Sequence, residues 1–489
     1  MPQTLLAIDA GTTGVTALLL DGDLTVVARA YREFPQHFPS PGRVEHDADE
    51  ILRAVDATVD EVLAPGVRPA AVGITNQRET VFALDLATGA ALGTGIVWQD
   101  RRTAPRCDEL RRAGREPEVS ARTGLRLDPY FSGTKVEWLL RERPEVAAAA
   151  RAGSARFCTV DALIVHHLTG GARCATEPTN ASRTLLYDIE ERAWSPELCG
   201  LFGVDPGLLP EVLASTGDFG TARLPGGREA PIRGIAGDQQ AALFGQGCWE
   251  EGSFKSTYGT GCFLLLNTGS RRIGSEGGLL TTLAVARDGS TCYALEGSVF
   301  AAGVVVQWLR DGLGWLESAA DSEALATSVP DTGGVVLVPA FAGLGAPYWA
   351  PDARGAILGL TRGTTPAHVV RAGVESIAFQ CAEIVELLRE ETGLAVDELL
   401  VDGGAAANDF LMQTQADLAG LAVRRPPELE STARGAAALA GVGVGLWDDP
   451  AGVAAFSRGW TRFEPSLGDE ARAGRLRDWR AAVQRVLTR

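Results

Sequence analysis

Leu5-Leu6-Ala7-Ile8-Asp9-Ala10-Gly11-Thr12-Thr13-Gly14-Val15-Thr16-Ala17-Leu18-Leu19-Leu20-Asp21 sets two apolar runs on either side of a short Gly/Thr turn. The pattern predicts a β-hairpin whose two strands are mostly buried. Asp9 falls where the first strand ends, and the turn after it exposes backbone N–H groups and hydroxyls. Such a turn can cradle a phosphate, while the neighbouring carboxylate holds a partner Mg²⁺ through water. A plain hairpin closed by a capping aspartate fits the same residues equally well. A second stretch, Phe254-Lys255-Ser256-Thr257-Tyr258-Gly259-Thr260-Gly261-Cys262-Phe263-Leu264-Leu265-Leu266, repeats the design about half a chain later. Two such turns suggest a duplicated fold with two phosphate loops facing one nucleotide.

The bulk composition is compatible with that reading. A chain of 489 residues is too long for one core, so two or more domains are expected. Hydrophobic content of 45% with 22% charged residues is ordinary for a soluble globular protein. A net charge of −17 argues against nucleic acid or an anionic membrane as the main partner. It does not argue against a nucleotide, because a phosphate site is made locally from backbone amides and metal. Among the 45 basic residues only Lys135 and Lys255 are lysines, a bias that reads as genomic base composition. The eight cysteines are scattered without a C-x-x-C pair, and free thiols in a reducing cytoplasm are expected. The five histidines show no ligand spacing, no secretory leader pattern opens the chain, and no apolar run approaches the ~20 residues needed to span a bilayer.

Beyond the first hairpin, Ile51, Leu52, Val55, Val59, Val62 and Leu63 recur at helical spacing behind Asp47 and Asp49. Strands are predicted over 70–75, 81–84 and 95–98, and strand-helix-strand order implies an α/β crossover. Phe157–Leu168 reads as strand then helix, and Thr176–Leu186 as an extended return. A strand over 232–237 ends on Asp238 just before a helix, and Gly245–Gly252 is a candidate hinge between halves 1–246 and 247–489. The second half predicts strands around 279–286, 292–295 and 335–339 and a helix from Gly303. It continues with a long helix over 366–391, an Asp402-Gly403-Gly404 turn, a helix from Asn408 and an amphipathic packing helix over 469–487. Polar residues gather where strands end, at Asn76-Gln77-Arg78-Glu79 and Trp98-Gln99-Asp100, which is where open α/β sheets bind ligands.

These motifs lie in an order that resembles the FGGY carbohydrate kinase family of the actin-like ATPase superfamily, along nearly the whole chain. The carriers are Ile74-Thr75-Asn76-Gln77-Arg78-Glu79-Thr80, Ile96-Val97-Trp98-Gln99, Asp128-Pro129-Tyr130-Phe131-Ser132-Gly133-Thr134-Lys135 and Thr179-Asn180-Ala181-Ser182-Arg183-Thr184. With them go Gly237-Asp238-Gln239-Gln240-Ala241-Ala242-Leu243-Phe244-Gly245, the second Gly/Thr turn, Pro339-Ala340-Phe341, Gly343–Trp349 and Asp402-Gly403-Gly404. The resemblance implies two actin-like (ribonuclease H-like) domains with a nucleotide and substrate cleft between them. It implies ATP-dependent phosphorylation of glycerol to sn-glycerol 3-phosphate in a cytoplasmic homo-oligomer, a dimer or tetramer. Arg78, Glu79, Tyr130, Asp238 and Gln239 would hold the three hydroxyls, with Trp98 and Phe263 packing the carbon chain. A site built on such hydroxyls can reject analogues lacking them by as much as ~10⁴-fold. Asp238 would be the general base, a role typically worth ~10²–10⁴ in rate; read from the residues alone, it serves equally as a helix N-cap. Thr12, Thr13 and Thr260 match phosphate positions, Gly303, Gln307, Gly404 and Asn408 match positions around ADP, and Asp9 would hold Mg²⁺ through water.

Two departures from the family pattern stand out. Ala10 and Thr16 occupy places where many members carry a glutamine and a nucleotide-contacting arginine, so a raised KM for ATP with kcat largely kept is expected. The loop Gly226–Ala230 carries Glu229 at an arginine position of relatives inhibited by fructose 1,6-bisphosphate, and it has no histidine. Insensitivity to that sugar bisphosphate follows, and clear inhibition at millimolar levels in a steady-state assay would refute it. The rival readings are a kinase of the same family for another polyol or ketose, a non-catalytic actin-like nucleotide sensor, and a phosphohydrolase on the same fold.

Overall fold

The computed structural model describes residues 3–487 other than 448 and 457. Both Gly/Thr stretches form the hairpins expected. In the first, β1 (Thr4–Ala10) pairs antiparallel with β2 (Gly14–Asp21), and β3 (Val26–Glu33) continues the sheet as its edge. Helix α1 (Ala48–Val62) starts at Asp47, whose carboxylate accepts from the amides of Asp49 and Glu50. That cap satisfies two of the donors a helix start leaves open. α1 buries Ile51, Val55, Val59 and Val62 and delivers β4 (Ala71–Asn76) parallel to β1.

The next strands depart from expectation. β5 (Val81–Asp85) leaves the first sheet for a separate five-stranded one, where it pairs with β6 (Ala155–Thr159). The strand expected over 95–98 is confined to Gly95–Ile96. Helix α2 (Val160–Leu168) follows β6 as read. The stretch expected to be extended over 176–186 is instead a short helix, Pro178–Ala181, followed by turns. Its cause is local. Pro178 sits at the first helical position, and the Glu177 carboxylate caps the amides of Thr179 and Asn180 at 2.9 and 2.7 Å. β7 (Thr221–Leu224) and β8 (Arg228–Gly237) complete the first sheet in the order β7-β8-β4-β1-β2-β3, and helix α3 (Asp238–Gly245) begins as β8 ends.

The second half repeats the scheme. β9 (Phe254–Tyr258) and β10 (Cys262–Gly269) form the second hairpin, extended by β11 (Leu280–Val285) and β12 (Thr291–Val299). The long helix α4 (Pro366–Thr392) opens with a capping box of Thr365 and His368 and closes at Gly393. It delivers β13 (Glu398–Asp402) parallel to β9, as α1 delivers β4 to β1. Helix α5 (Asp409–Ala419) and β14 (Ala422–Arg425) follow. The C-terminal stripe packs as expected, with Trp479 of the helix Asp469–Leu487 stacked on Phe379 of α4 at 5.2 Å.

One element crosses between the halves. Helix α6 (Ser431–Gly443) comes late in the chain yet packs against α3 and against β1, β4 and β8 of the first sheet. Glycines allow it to approach. A Cβ on Gly73 would lie 2.1 Å from the Ala436 carbonyl oxygen, and one on Gly435 would lie 1.9 Å from that of Ala241. No side chain fits at either contact. The start of α6, including Thr432, is thereby brought to the cavity that lies between the two hairpins.

Candidate active site

Two cavities meet at the turn of the second hairpin, and Gly259 and Thr260 line both. The smaller, about 230 Å³, is walled by Arg78, Glu79, Trp98, Tyr130, Asp238, Gln239 and Phe263, the full set expected around a polyol. Asp9, Thr12 and Thr260 reach the same cavity. The larger, about 450 Å³, includes Gly303, Gln307, Gly404 and Asn408, the four positions expected around ADP. Thr13 is not on either wall; it sits exposed in the first turn, where its carbonyl accepts from the Phe34 amide at 3.3 Å.

Arg78 stands at the end of β4 and is the electrostatic centre of the smaller cavity. Its Nε lies 3.2 Å from Asp238 Oδ1, and its Nη1 and Nη2 reach Glu296 at 2.6 and 3.3 Å. The forked guanidinium suits this, because it can hold two carboxylates in fixed directions. Arg183 completes a buried quartet, donating from Nε to Glu79 at 2.6 Å and from Nη2 to Glu296 at 2.8 Å. Burial alone would raise the Glu296 carboxyl, but Arg183 and Arg78 outweigh it and hold it at about 2. Burial also dominates at Glu79, where Arg78 and Arg183 offset it only in part and the carboxyl stays raised. Glu79 has φ 63°, a left-handed conformation that non-glycine residues seldom adopt and that clusters at functional sites.

Asp238 is the exception in this buried group. It begins α3, accepts from the Gln239 amide at 2.7 Å and keeps a side chain 30% exposed, so a substrate can reach it. The aromatic wall is tied to the first hairpin. Trp98 meets Tyr130 edge-on at 5.6 Å, and its Nε1 donates to Thr12 Oγ1 at 2.9 Å. Asp9 has no such balance. Burial, then the charges of Asp238 and Glu430, push its carboxyl well above the usual range.

Several residues of this architecture escaped the sequence reading. Glu296 is a lone carboxylate in the apolar strand Thr291–Val299, and a buried charge in such a strand demands a partner. That was the available signal. Arg183 stands inside the Thr179–Thr184 motif, where the sequence alone assigns it no partner. Lys255, Thr257 and Asp402 form a third feature: Lys255 Nζ donates to Gln239 Oε1 at 2.6 Å and to Thr257 Oγ1 at 2.7 Å, and Thr257 Oγ1 donates to Asp402 Oδ1 at 2.6 Å. Only the pairing of β9 with β13 brings these together, and composition carries no trace of it.

The arrangement offers an accessible carboxylate beside a small hydroxyl-binding cavity, with a larger cavity on the other side of a Gly/Thr turn. The profile described as FGGY family of carbohydrate kinases, N-terminal domain, matches residues 4–245, and its C-terminal counterpart matches 254–444. A protein named glycerol kinase from Aromatoleum aromaticum is 52% identical over 487 residues, covering 99% of this chain and 98% of that relative. The crystal structure of Plasmodium falciparum glycerol kinase with ADP superposes with a TM-score of 0.91 at 34% identity, covering 100% of this chain and 99% of that one. Gluconate kinase from Lactobacillus acidophilus shares the fold at 21% identity, with a TM-score of 0.86 over 99% of this chain and 97% of its own.

Proposed function

The chain belongs to the FGGY family of carbohydrate kinases, and we propose that it transfers the γ-phosphoryl group of ATP to glycerol, giving sn-glycerol 3-phosphate and ADP. The observation that carries the reading is the convergence of Asp238, Arg78, Glu79, Tyr130 and Gln239 on one small cavity, with Thr260 shared between it and the larger one. Full-length similarity to proteins named glycerol kinase supports the choice of substrate.

In this mechanism glycerol lies along Trp98 and Phe263, and its hydroxyls meet the polar wall. Asp238 accepts the proton of the terminal hydroxyl as that oxygen attacks the γ-phosphorus in line. The bond from phosphorus to the β–γ bridging oxygen breaks, and ADP leaves with that electron pair. Arg78, fixed from behind by Glu296, keeps the Asp238 carboxylate aimed through its 3.2 Å ion pair. The hairpin turns supply amides and hydroxyls to the phosphates, so catalysis is mainly positioning and charge neutralisation. The adenosine end occupies the larger cavity around Gly303, Gln307, Gly404 and Asn408.

The residues present suit a magnesium ion brought in with the nucleotide. No group of three or more metal-binding side chains occurs among the described residues. Mg²⁺ does not require one, since it keeps several waters and binds through one or two carboxylates plus phosphate oxygens. Asp9, half-buried on the wall of the cavity that Asp238 also lines, is a hard oxygen donor whose carboxyl is raised by burial and by neighbouring carboxylates, and it would hold the ion through water. Bound there, the ion would neutralise charge on the transferring phosphates.

A coupled assay of ADP release over a panel of polyols and ketoses, with Asp238→Ala as control, tests the proposal. Glycerol should give the highest kcat/KM, and the variant should lose about 10²–10⁴ of it. Preference for a ketose would indicate another sugar kinase, ADP release without acceptor a hydrolase, and no release under any condition a sensor.

A further inference from the structure

The chain's two lysines both stand behind the polyol wall, Lys135 on the helix Gly133–Glu142 and Lys255 on β9. Lys135 and Lys255 are both fully buried, and each donates to a residue of the polyol wall. Lys135 Nζ donates to the Tyr130 carbonyl at 2.7 Å, and Lys255 Nζ to the Gln239 side chain at 2.6 Å. Everywhere else this chain uses arginine as its basic residue.

Lys255 has the sharper consequence. An ammonium has donors only, so the Gln239 atom facing it must be the amide oxygen. That fixes the flip of the amide. Oε1 is used by the lysine, and Nε2, which has no protein partner among the described residues, is left as a donor on the cavity side. Thr257 holds the ammonium from the other side and is itself anchored on Asp402, so the orientation of Gln239 is set from the second hairpin.

We propose that Lys255 is a positioning residue for the polyol substrate, locking the Gln239 amide so that its Nε2 donates to a substrate hydroxyl oxygen. This role rests on the polyol-kinase reading above. Lys255 touches no reacting atom. It acts through Gln239 and couples the polyol wall to the strand that carries the second phosphate turn.

Steady-state kinetics of wild type, Lys255→Met, Gln239→Ala and the double variant test this. Lys255→Met should raise the KM for glycerol about 10-fold, a size expected for one misplaced buried hydrogen bond, and leave the KM for ATP within about twofold. The double variant should be no worse than Gln239→Ala alone, because both changes remove the same contact. Multiplying penalties, or a rise in the KM for ATP equal to that for glycerol, would overturn the proposal. Gln239→Glu provides a check that does not need Lys255→Met to fold. It should keep or raise the melting temperature by pairing with Lys255, yet raise the KM for glycerol about 10-fold by turning a donor into an acceptor. An unchanged glycerol KM in that variant would also overturn it. Wild type without glycerol-dependent ADP release would instead defeat the kinase reading itself.

Discussion

The two hairpins use the same pair of residue types with their strands exchanged. In the first, Asp9 stands on the hairpin strand, and its partner in the parallel neighbour is Thr75. In the second, Thr257 stands on the hairpin strand, and its parallel partner is Asp402. Each position is one residue before its hairpin strand ends. The exchange changes the electrostatics. Asp402 is reached by Lys255 and Arg434 and is bonded by Thr257 and Ser431, although burial still leaves its carboxyl raised. Asp9 is reached chiefly by other carboxylates. The carboxylate at the second hairpin has cations among its neighbours, whereas the one at the first has other carboxylates.

Glu296 joins the two systems, since it rises from the sheet of the second hairpin to hold Arg78 beside the first. Breaking that link should have the largest effect on stability. Glu296→Gln leaves Arg78 and Arg183 buried with one counter-charge fewer, a loss of about 3–5 kcal/mol. The pH dependence gives the sign. The folded carboxyl lies at about 2, below the ordinary 4.5, so its stabilisation is present above 4.5 and is lost as pH falls from there toward 2. Acid melts should therefore show a fall in wild type across that window that is shallower in the variant. Parallel curves would mean that Glu296 is not the link.

The two carboxylates should then respond to different degrees to amide substitution. Asp402→Asn should gain less than Asp9→Asn at neutral pH, because the burial that raises the Asp402 carboxyl is partly offset by Lys255 and Arg434, whose attraction the amide gives up. Asp9→Asn should hold or raise the melting temperature, yet reduce kcat/KM about 10–100-fold, as expected when a group holding a metal through water is lost. The Asp9 carboxyl is raised in the fold, so it is destabilising above its unfolded pKa, and that penalty grows as pH rises through the folded value. The advantage of Asp9→Asn should accordingly widen from acid to neutral pH. Destabilisation of Asp9→Asn at neutral pH would remove the contrast.

How much of this was readable from sequence follows the same division. The hairpins, α1, α4 and Asp238 at the head of α3 were legible because apolar periodicity, caps and Gly/Thr turns are local signals. The segment 176–186 was misread because Thr176, Asn180 and Thr184 look like strand or loop residues, while the cap that makes a helix is the buried carboxylate of Glu177. The tasks of Glu296 and Lys255 are hidden in the sequence for a different reason. Their tasks exist only once β12 faces Arg78 and β9 lies beside Gln239, pairings set by sheet order and not by neighbours in the chain. The crossing of α6 onto the first sheet was equally invisible, although Gly73 and Gly435 marked the places where backbone meets backbone.

The smallest expected effect lies within the first hairpin itself. Thr16 on β2 is the register partner of Asp9 and is nearly buried, so a longer side chain there extends along the face that carries the unbalanced carboxylate. Thr16→Arg would supply from within the chain part of the positive charge that the first hairpin lacks, as Lys255 and Arg434 do for the second. Its reach toward the phosphates should lower the KM for ATP by about 3- to 10-fold, the range of one exposed to partly buried charge contact, while kcat changes little. The gain should shrink with added salt if the new arginine stays partly exposed. An unchanged KM for ATP would mean that the first turn already holds its phosphates through amides, hydroxyls and metal alone, and that the asymmetry between the hairpins has no cost in nucleotide affinity.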